Sequence, residues 1–217
     1  MTAKAELIKV SKNFYSRGWM LGTSGNLSIL IQEEPLEFLI TASGNDKGEL
    51  TEEDFLVVNQ DGHCIEKETR SDEIVSGCRG VGVSGLEKKP SAETLLHSTL
   101  YKNTNAKTVY HVHTTNSTLL SMQNAEGKIE FSDLEMLKGL GFKTHDIKVQ
   151  IPVIENSQDM KYLSEILPSY LNEEVPCFLL KGHGIYTWGK TPEETKRHVE
   201  ILEFLFEYRI KELSLKI

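Results

Sequence analysis

The chain lacks long apolar runs: no window approaches about 18 uninterrupted apolar residues, so no membrane-spanning helix is expected. Its first stretch, "MTAKAELIKVSKNFYSRGW", holds no continuous apolar segment either, so a secretory leader is not expected. Cysteine is scarce. Cys64, Cys78 and Cys177 are widely spaced and odd in number, which argues against a disulfide framework or a cysteine-based zinc site. Free thiols in a reducing cytoplasm are the expectation. Positive charge is also short, with 24 Lys and Arg against 32 Asp and Glu and a formal net charge of -8. That balance argues against nucleic acid, whose phosphates need clustered cations. It does not exclude a small phosphorylated ligand, for which a local cluster of donors suffices. Repeats, linkers and low-complexity tails are missing, so residues 1–217 are expected to form a single domain.

What is present alternates between helical and strand patterns. Ala3, Leu7, Val10 and Phe14 recur at helical spacing and predict an amphipathic helix over 2–17, ended by Gly18. "LSILI" (27–31) and "LEFLITA" (36–42) read as a hairpin, and "FLVVN" and "HCIEK" as strands joined by Asp61-Gly62. Residues 76–89 carry four glycines and read as a long loop, a candidate lid. A helix from Pro90 through Leu100, the strand "KTVYHVH", and a short helix from Asn116 to Asn124 follow. The strand "IKVQIPVI" and a helix from Asp159 to Leu171 precede "CFLLK" and "IYTWG", strands around Gly182–Gly184. The final helix opens with a capping box, Thr191 and Glu194, and with Pro192 at its first position. The order is that of a mixed α/β domain.

Chemistry concentrates in a few places. In the strand of "VYHVHTT", His111 and His113 point to one face while Tyr110 and Val112 point to the other. Such a pair is either two half-exposed strand-end histidines or a metal clamp. His183 stands between two glycines after an apolar strand, and three imidazoles with an open position are the usual holder of a catalytic zinc. His63, His97 and His198 read as surface or satisfied histidines, and His145 is held in reserve. Glu93 opens a helix, where a negative charge suits the dipole. Glu135, between Leu134 and Met136, is either a solvated turn residue or an acid held in a dry pocket and fit for proton transfer. Two small-residue loops supply phosphate-binding candidates: Ser24, Gly25 and Asn26 in one, Ser43, Gly44 and Lys47 in the other. Ser91 of "PSAE" joins them.

Taken in order, "SGN", "TASG", "PSAE", "HVH" and "GHG" resemble the class II aldolase/adducin family over essentially the whole chain. "EMLKGLG", "IPVIENSQD" and "GHGIYTWGKTPEE" followed by "EILEFLFE" resemble a branch that dehydrates a small phosphorylated ketose. The resemblance implies an α/β/α sandwich around a largely antiparallel sheet, and a homotetramer around a fourfold axis. It implies one Zn2+ per subunit on His111, His113 and His183. The aldolase branch handles protons at the position of Glu93 and the dehydratase branch at that of Glu135; both acids are kept here, which leaves their roles open. A sugar-phosphate aldolase or pentulose-phosphate epimerase is the alternative within catalysis. A non-catalytic adducin-like scaffold is the alternative outside it, and three intact histidines count against that. An amidohydrolase would carry its His-x-His near the start of a longer barrel. A cupin would place a Glu shortly after the pair, and "HVHTTNST" offers none.

Overall fold

In the computed structural model the described residues are 2–65, 67–68, 74–75, 88–124, 126–172 and 174–215. Most of the glycine-rich stretch read as a lid, 76–87, lies outside them. Helix α1 (Ala3–Ser16) starts where the Thr2 hydroxyl accepts the Ala5 amide at 3.2 Å. It buries Leu7, Val10 and Phe14, the stripe its spacing predicts. The strands follow as β1 (Asn26–Gln32), β2 (Glu37–Thr41) and β3 (Phe55–Asn59), then the two-residue pair β4 (Lys67–Glu68) and β5 (Ile74–Val75). Helix α2 (Thr94–Asn103), β6 (Thr108–Val112), α3 (Thr115–Gln123), β7 (Lys128–Ser132) and β8 (Lys148–Ile154) come next. The chain closes with α4 (Met160–Ile166), β9 (Cys177–Leu180), β10 (Gly184–Gly189) and α5 (Pro192–Leu215).

Eight strands form one sheet in the order β3-β2-β1-β6-β10-β9-β8-β7, antiparallel throughout except for β8 beside β9. Strand alternation sorts the core into two faces. Leu27, Tyr110, Val112, Leu179 and Ile185 pack with α1 and α5, while Ile40, Val109, Phe178 and Tyr186 pack with α2 and α4. This is the expected α/β/α sandwich. Each buried aromatic or aliphatic side chain contributes on the order of 1.5–3 kcal/mol, so both layers are needed. No helix among the described residues is long and apolar enough to cross a membrane.

Several boundaries shift from the sequence expectations. The helix expected from Pro90 begins at Thr94, because Pro90 pairs with Ala42 in an antiparallel bridge and the turn at 92–93 intervenes. The helix expected to reach Leu171 ends at Ile166 and tightens into a 3-10 turn, Leu167–Tyr170, where Pro168 interrupts the ladder. At the start of α5, Thr191 accepts the Glu194 amide at 3.2 Å, while the Glu194 carboxylate reaches back to the Lys190 amide at 2.6 Å, one residue beyond a true capping box. Cys64 is disulfide-bonded, which corrects the expectation of three free thiols; separation along the chain does not report proximity in space. Cys177 is free and buried.

Entry into β1 depends on Gly25. Its φ of +74° is left-handed, and a Cβ there would sit 2.6 Å from the His111 carbonyl oxygen and 2.9 Å from Met20 Cε. Gly25→Ala should therefore lower stability by about 1–3 kcal/mol, read as a fall in the urea midpoint. An unchanged midpoint would mean that this close approach is not a constraint.

Candidate metal centre

Three adjacent strands place the site. In the sheet register Asn26 on β1 faces His111 on β6, which faces Tyr186 on β10. The Tyr186 ring stacks on His111 with centroids 4.1 Å apart. His113 lies just beyond the end of β6 and His183 just before β10, in the connection that brings the chain back from β9. That connection passes so close to β6 that a Cβ on Gly184 would meet the Val112 carbonyl oxygen at 2.4 Å. The glycine after His183 is therefore a packing requirement, as "GHG" suggests.

The three imidazoles converge. Their ligand atoms lie within 4.8 Å of one another, and the Nε2 atoms of His111 and His113 are 2.8 Å apart. His111 Nδ1 lies 2.8 Å from the Ile185 carbonyl oxygen, so Nδ1 carries the hydrogen and Nε2 is left bare. Burial lowers the pKa of His111 and takes that of His113 down to about 3, so both rings are neutral donors at pH 7. Two bare nitrogens at that separation need a cation or a proton between them. The set fits a divalent metal with imidazole preference.

Glu93 faces the same point. Its Oε1 is 3.1 Å from His183 Nε2 and its Oε2 is 3.3 Å from His111 Nε2. Glu93 occupies the N-cap position of α2, yet makes no side-chain capping bond. The helix-terminus explanation for this acid is therefore incomplete: the carboxylate turns toward the histidines. Burial pushes its carboxyl up, but His111, His183 and the Asn26 and Tyr186 side chains outweigh that and hold it at about 2. Asn26 Nδ2 donates to Glu93 Oε2 at 2.7 Å and to Ser91 Oγ at 3.0 Å.

Beside these residues opens a pocket of about 110 Å³ lined by Gly25, Asn26, Ser43, Lys47, Ser91 and the histidines His113 and His183, among others. Lys47 is almost wholly buried and donates to the carbonyls of Thr23 at 3.1 Å and Asn45 at 2.9 Å. One of its three N–H groups is left for the pocket. Burial lowers its pKa to about 8. Two members of the expected phosphate set do not line the pocket. The Ser24 hydroxyl donates back to Leu21 at 2.7 Å within its own turn, and Gly44, exposed with a φ of +79°, shapes its loop instead.

Glu135 does not line this pocket either. It begins a 3-10 turn (Glu135–Leu140), its side chain is 71% exposed, and it pairs with Lys138 at 2.8 Å and His145 at 3.6 Å. Of the two readings offered by its sequence, the structure displays the solvated one. His97, expected as a surface or satisfied histidine, is fully buried and bonds Ser28 and Asn26. Its nearness to Glu93 is legible only once α2 and β1 are seen side by side.

Comparison with known proteins places the sequence and the fold in one family. The model of the class II aldolase and adducin N-terminal domain family matches residues 5–210. A methylthioribulose-1-phosphate dehydratase of Persephonella marina is 41% identical over 200 residues, covering 92% of this chain and 85% of that one. The protein of the same name from Bacillus subtilis is 42% identical over 207 residues, 95% and 91% of the two chains. Among solved structures, an L-fuculose-1-phosphate aldolase from Thermus thermophilus superposes with a TM-score of 0.71 at 22% identity, over 98% of this chain and 95% of that one. The chain belongs to the class II aldolase and adducin family.

Proposed function

We propose that this protein is a zinc-dependent lyase that dehydrates 5-methylthioribulose 1-phosphate to the 2,3-diketo-5-methylthiopentyl 1-phosphate of methionine salvage. The observation that carries the reading is the convergence of His111, His113 and His183 beside an ionised Glu93, in a chain whose relatives at 41–42% identity are named for that dehydration. His111, His113 and His183 would hold the zinc ion, which would supply Lewis acidity toward a substrate carbonyl.

The protein's own groups do the rest. Glu93, ionised at neutral pH, accepts the proton from C3. The C4 hydroxyl leaves as water with a proton donated by an acid, and the enol that remains becomes the diketone. Glu135 is the proposed donor. Lys47, with Asn26, Ser43, Ser91 and the Gly25 turn, forms the polar wall that takes the phosphate. Ligand pockets for whole small molecules run to about 300–1,000 Å³, so a pocket of about 110 Å³ holds only part of the substrate. A homotetramer supplies the missing wall, with Glu135 of one subunit facing the metal centre of another. The exposed Leu119, Met122, Phe204 and Tyr208 support such contacts. A cytoplasmic location goes with a salvage enzyme of this kind.

Incubation with methylthioribulose 1-phosphate should yield the diketone with loss of one water. Glu93→Gln and Glu135→Gln should each reduce kcat by about 10²- to 10⁴-fold, with zinc content unchanged. Cleavage to a three-carbon phosphate without diketone would move the protein to the aldolases; full activity of Glu135→Gln would remove that residue from the mechanism.

Lys47 carries a pH dependence. Its ammonium is present below about pH 8 and is lost as pH rises through that value. Phosphate binding should follow the charged form, so kcat/KM should fall above about pH 8, and Lys47→Met should raise KM by about 10- to 100-fold while flattening that limb. Equal KM in both proteins would place the phosphate elsewhere.

A further inference from the structure

Glu93, His97 and Tyr101 recur every fourth residue and share one face of the α2 segment. Asn26 and Ser28 alternate on β1 and share one face of the sheet. The two rows interlock into one chain of hydrogen bonds. Tyr101 Oη lies 2.6 Å from Ser28 Oγ, and Ser28 Oγ 2.7 Å from His97 Nδ1. His97 Nε2 bonds Asn26 Oδ1, and Asn26 Nδ2 lies 2.7 Å from Glu93 Oε2. Ser28 and His97 are fully buried and Asn26 is 3% exposed, so water does not compete along its centre.

One assignment of hydrogens satisfies every member. Asn26 Nδ2 faces Glu93 Oε2 at 2.7 Å, so the amide turns its NH2 group to the carboxylate oxygen. Both amide hydrogens are then used, on Glu93 and Ser91. The Asn26 oxygen therefore faces His97, whose Nε2 must carry the ring hydrogen. Nδ1 is bare and accepts from the Ser28 hydroxyl, whose oxygen accepts in turn from Tyr101. Tyr101 Oη stands at the far end of the chain. Every donor points toward Glu93, and hydrogen bonds aligned in this way polarise one another.

We propose that His97 is a positioning residue: as the neutral Nε2–H tautomer it locks the Asn26 amide and thereby fixes the Glu93 carboxylate against His111 and His183. Burial, which pushes the His97 imidazole down to about 3, agrees with a neutral ring. Without the Nε2–H, the Asn26 amide loses the bond that sets its orientation, and a flipped amide would point its oxygen at a carboxylate. His97 acts only through Glu93 and touches no substrate.

The kinetic part of this proposal rests on Glu93 acting in the dehydration proposed above; the proton assignment does not. The ring nitrogens of His97 in ¹⁵N-histidine-labelled wild-type protein should report the neutral Nε2–H tautomer from about pH 6 to about pH 8. An Nδ1–H tautomer or an imidazolium would overturn the proposal, and neither result needs a substrate or a variant that folds. In turnover, His97→Leu should lower kcat by about 10- to 100-fold with KM and metal content unchanged. His97→Gln, which keeps an N–H where Nε2–H stood, should recover most of that loss. In a Glu93→Gln background His97→Leu should cost nothing further. Equal losses for Leu and Gln, or a full additional loss in the Glu93→Gln background, would make His97 a structural residue only. Wild-type protein inert toward the methylthio substrate would fault the substrate assignment and leave the tautomer result to decide this proposal by itself.

Discussion

The antiparallel pairing of β6 with β10 is the constraint on which the site depends. It sets Tyr186 opposite His111, and the short connection from β9 delivers His183 to the same sheet end as His113. The strands approach closely enough there that only glycine fits at position 184. The next strand out, β1, adds Asn26 opposite His111. Asn26, His111 and Tyr186 are thus placed by strand pairing in the middle of an eight-stranded sheet, with His113 and His183 at the ends of the same strands. Sites built on such elements hold their geometry better than sites built on loops alone.

Around that frame the charges are arranged to be unlike one another. The imidazoles of His111 and His113 are held neutral by burial, Glu93 is held ionised by its neighbours, and Lys47 sits near its own titration point. Perturbed groups of both signs in one small pocket are the electrostatic mark of a chemical site. A carboxylate within 3.3 Å of the His111 and His183 imidazoles also favours a cation among them, which ties the metal and the acid into one unit. Elsewhere in the described core Lys88 pairs with Asp54 at 3.1 Å, a contact within the fold rather than in the pocket.

Much of this was legible in the residues. The same-face argument for His111 and His113 needed only strand geometry, and the flanking glycines made His183 the obvious third. The mixed α/β class followed from the order of periodic segments, and the α/β/α sandwich from the family resemblance alone. Other parts could not be read. Glu93 had a sufficient local explanation at a helix start, and which way a carboxylate turns is decided by neighbours distant in sequence. His97 and Asn26 are separated by 71 positions, and neither signals the other until α2 lies on β1. Ser24 and Gly44 carry the right chemistry for a phosphate loop, but the Ser24 hydroxyl bonds Leu21 within its own turn and Gly44 lies outside the pocket lining. Glu135 is exposed and paired with Lys138 and His145, and its sequence left open whether it would be solvated or held in a dry pocket.

The central claim is that three histidines and Glu93 form one metal centre, and X-ray absorption on zinc-loaded protein tests it most directly. The account predicts one zinc per chain with three imidazole nitrogens at about 2.0–2.1 Å, and loss of that signature in His113→Ala. Zinc bound without imidazole ligands, or an unchanged spectrum in His113→Ala, would contradict it.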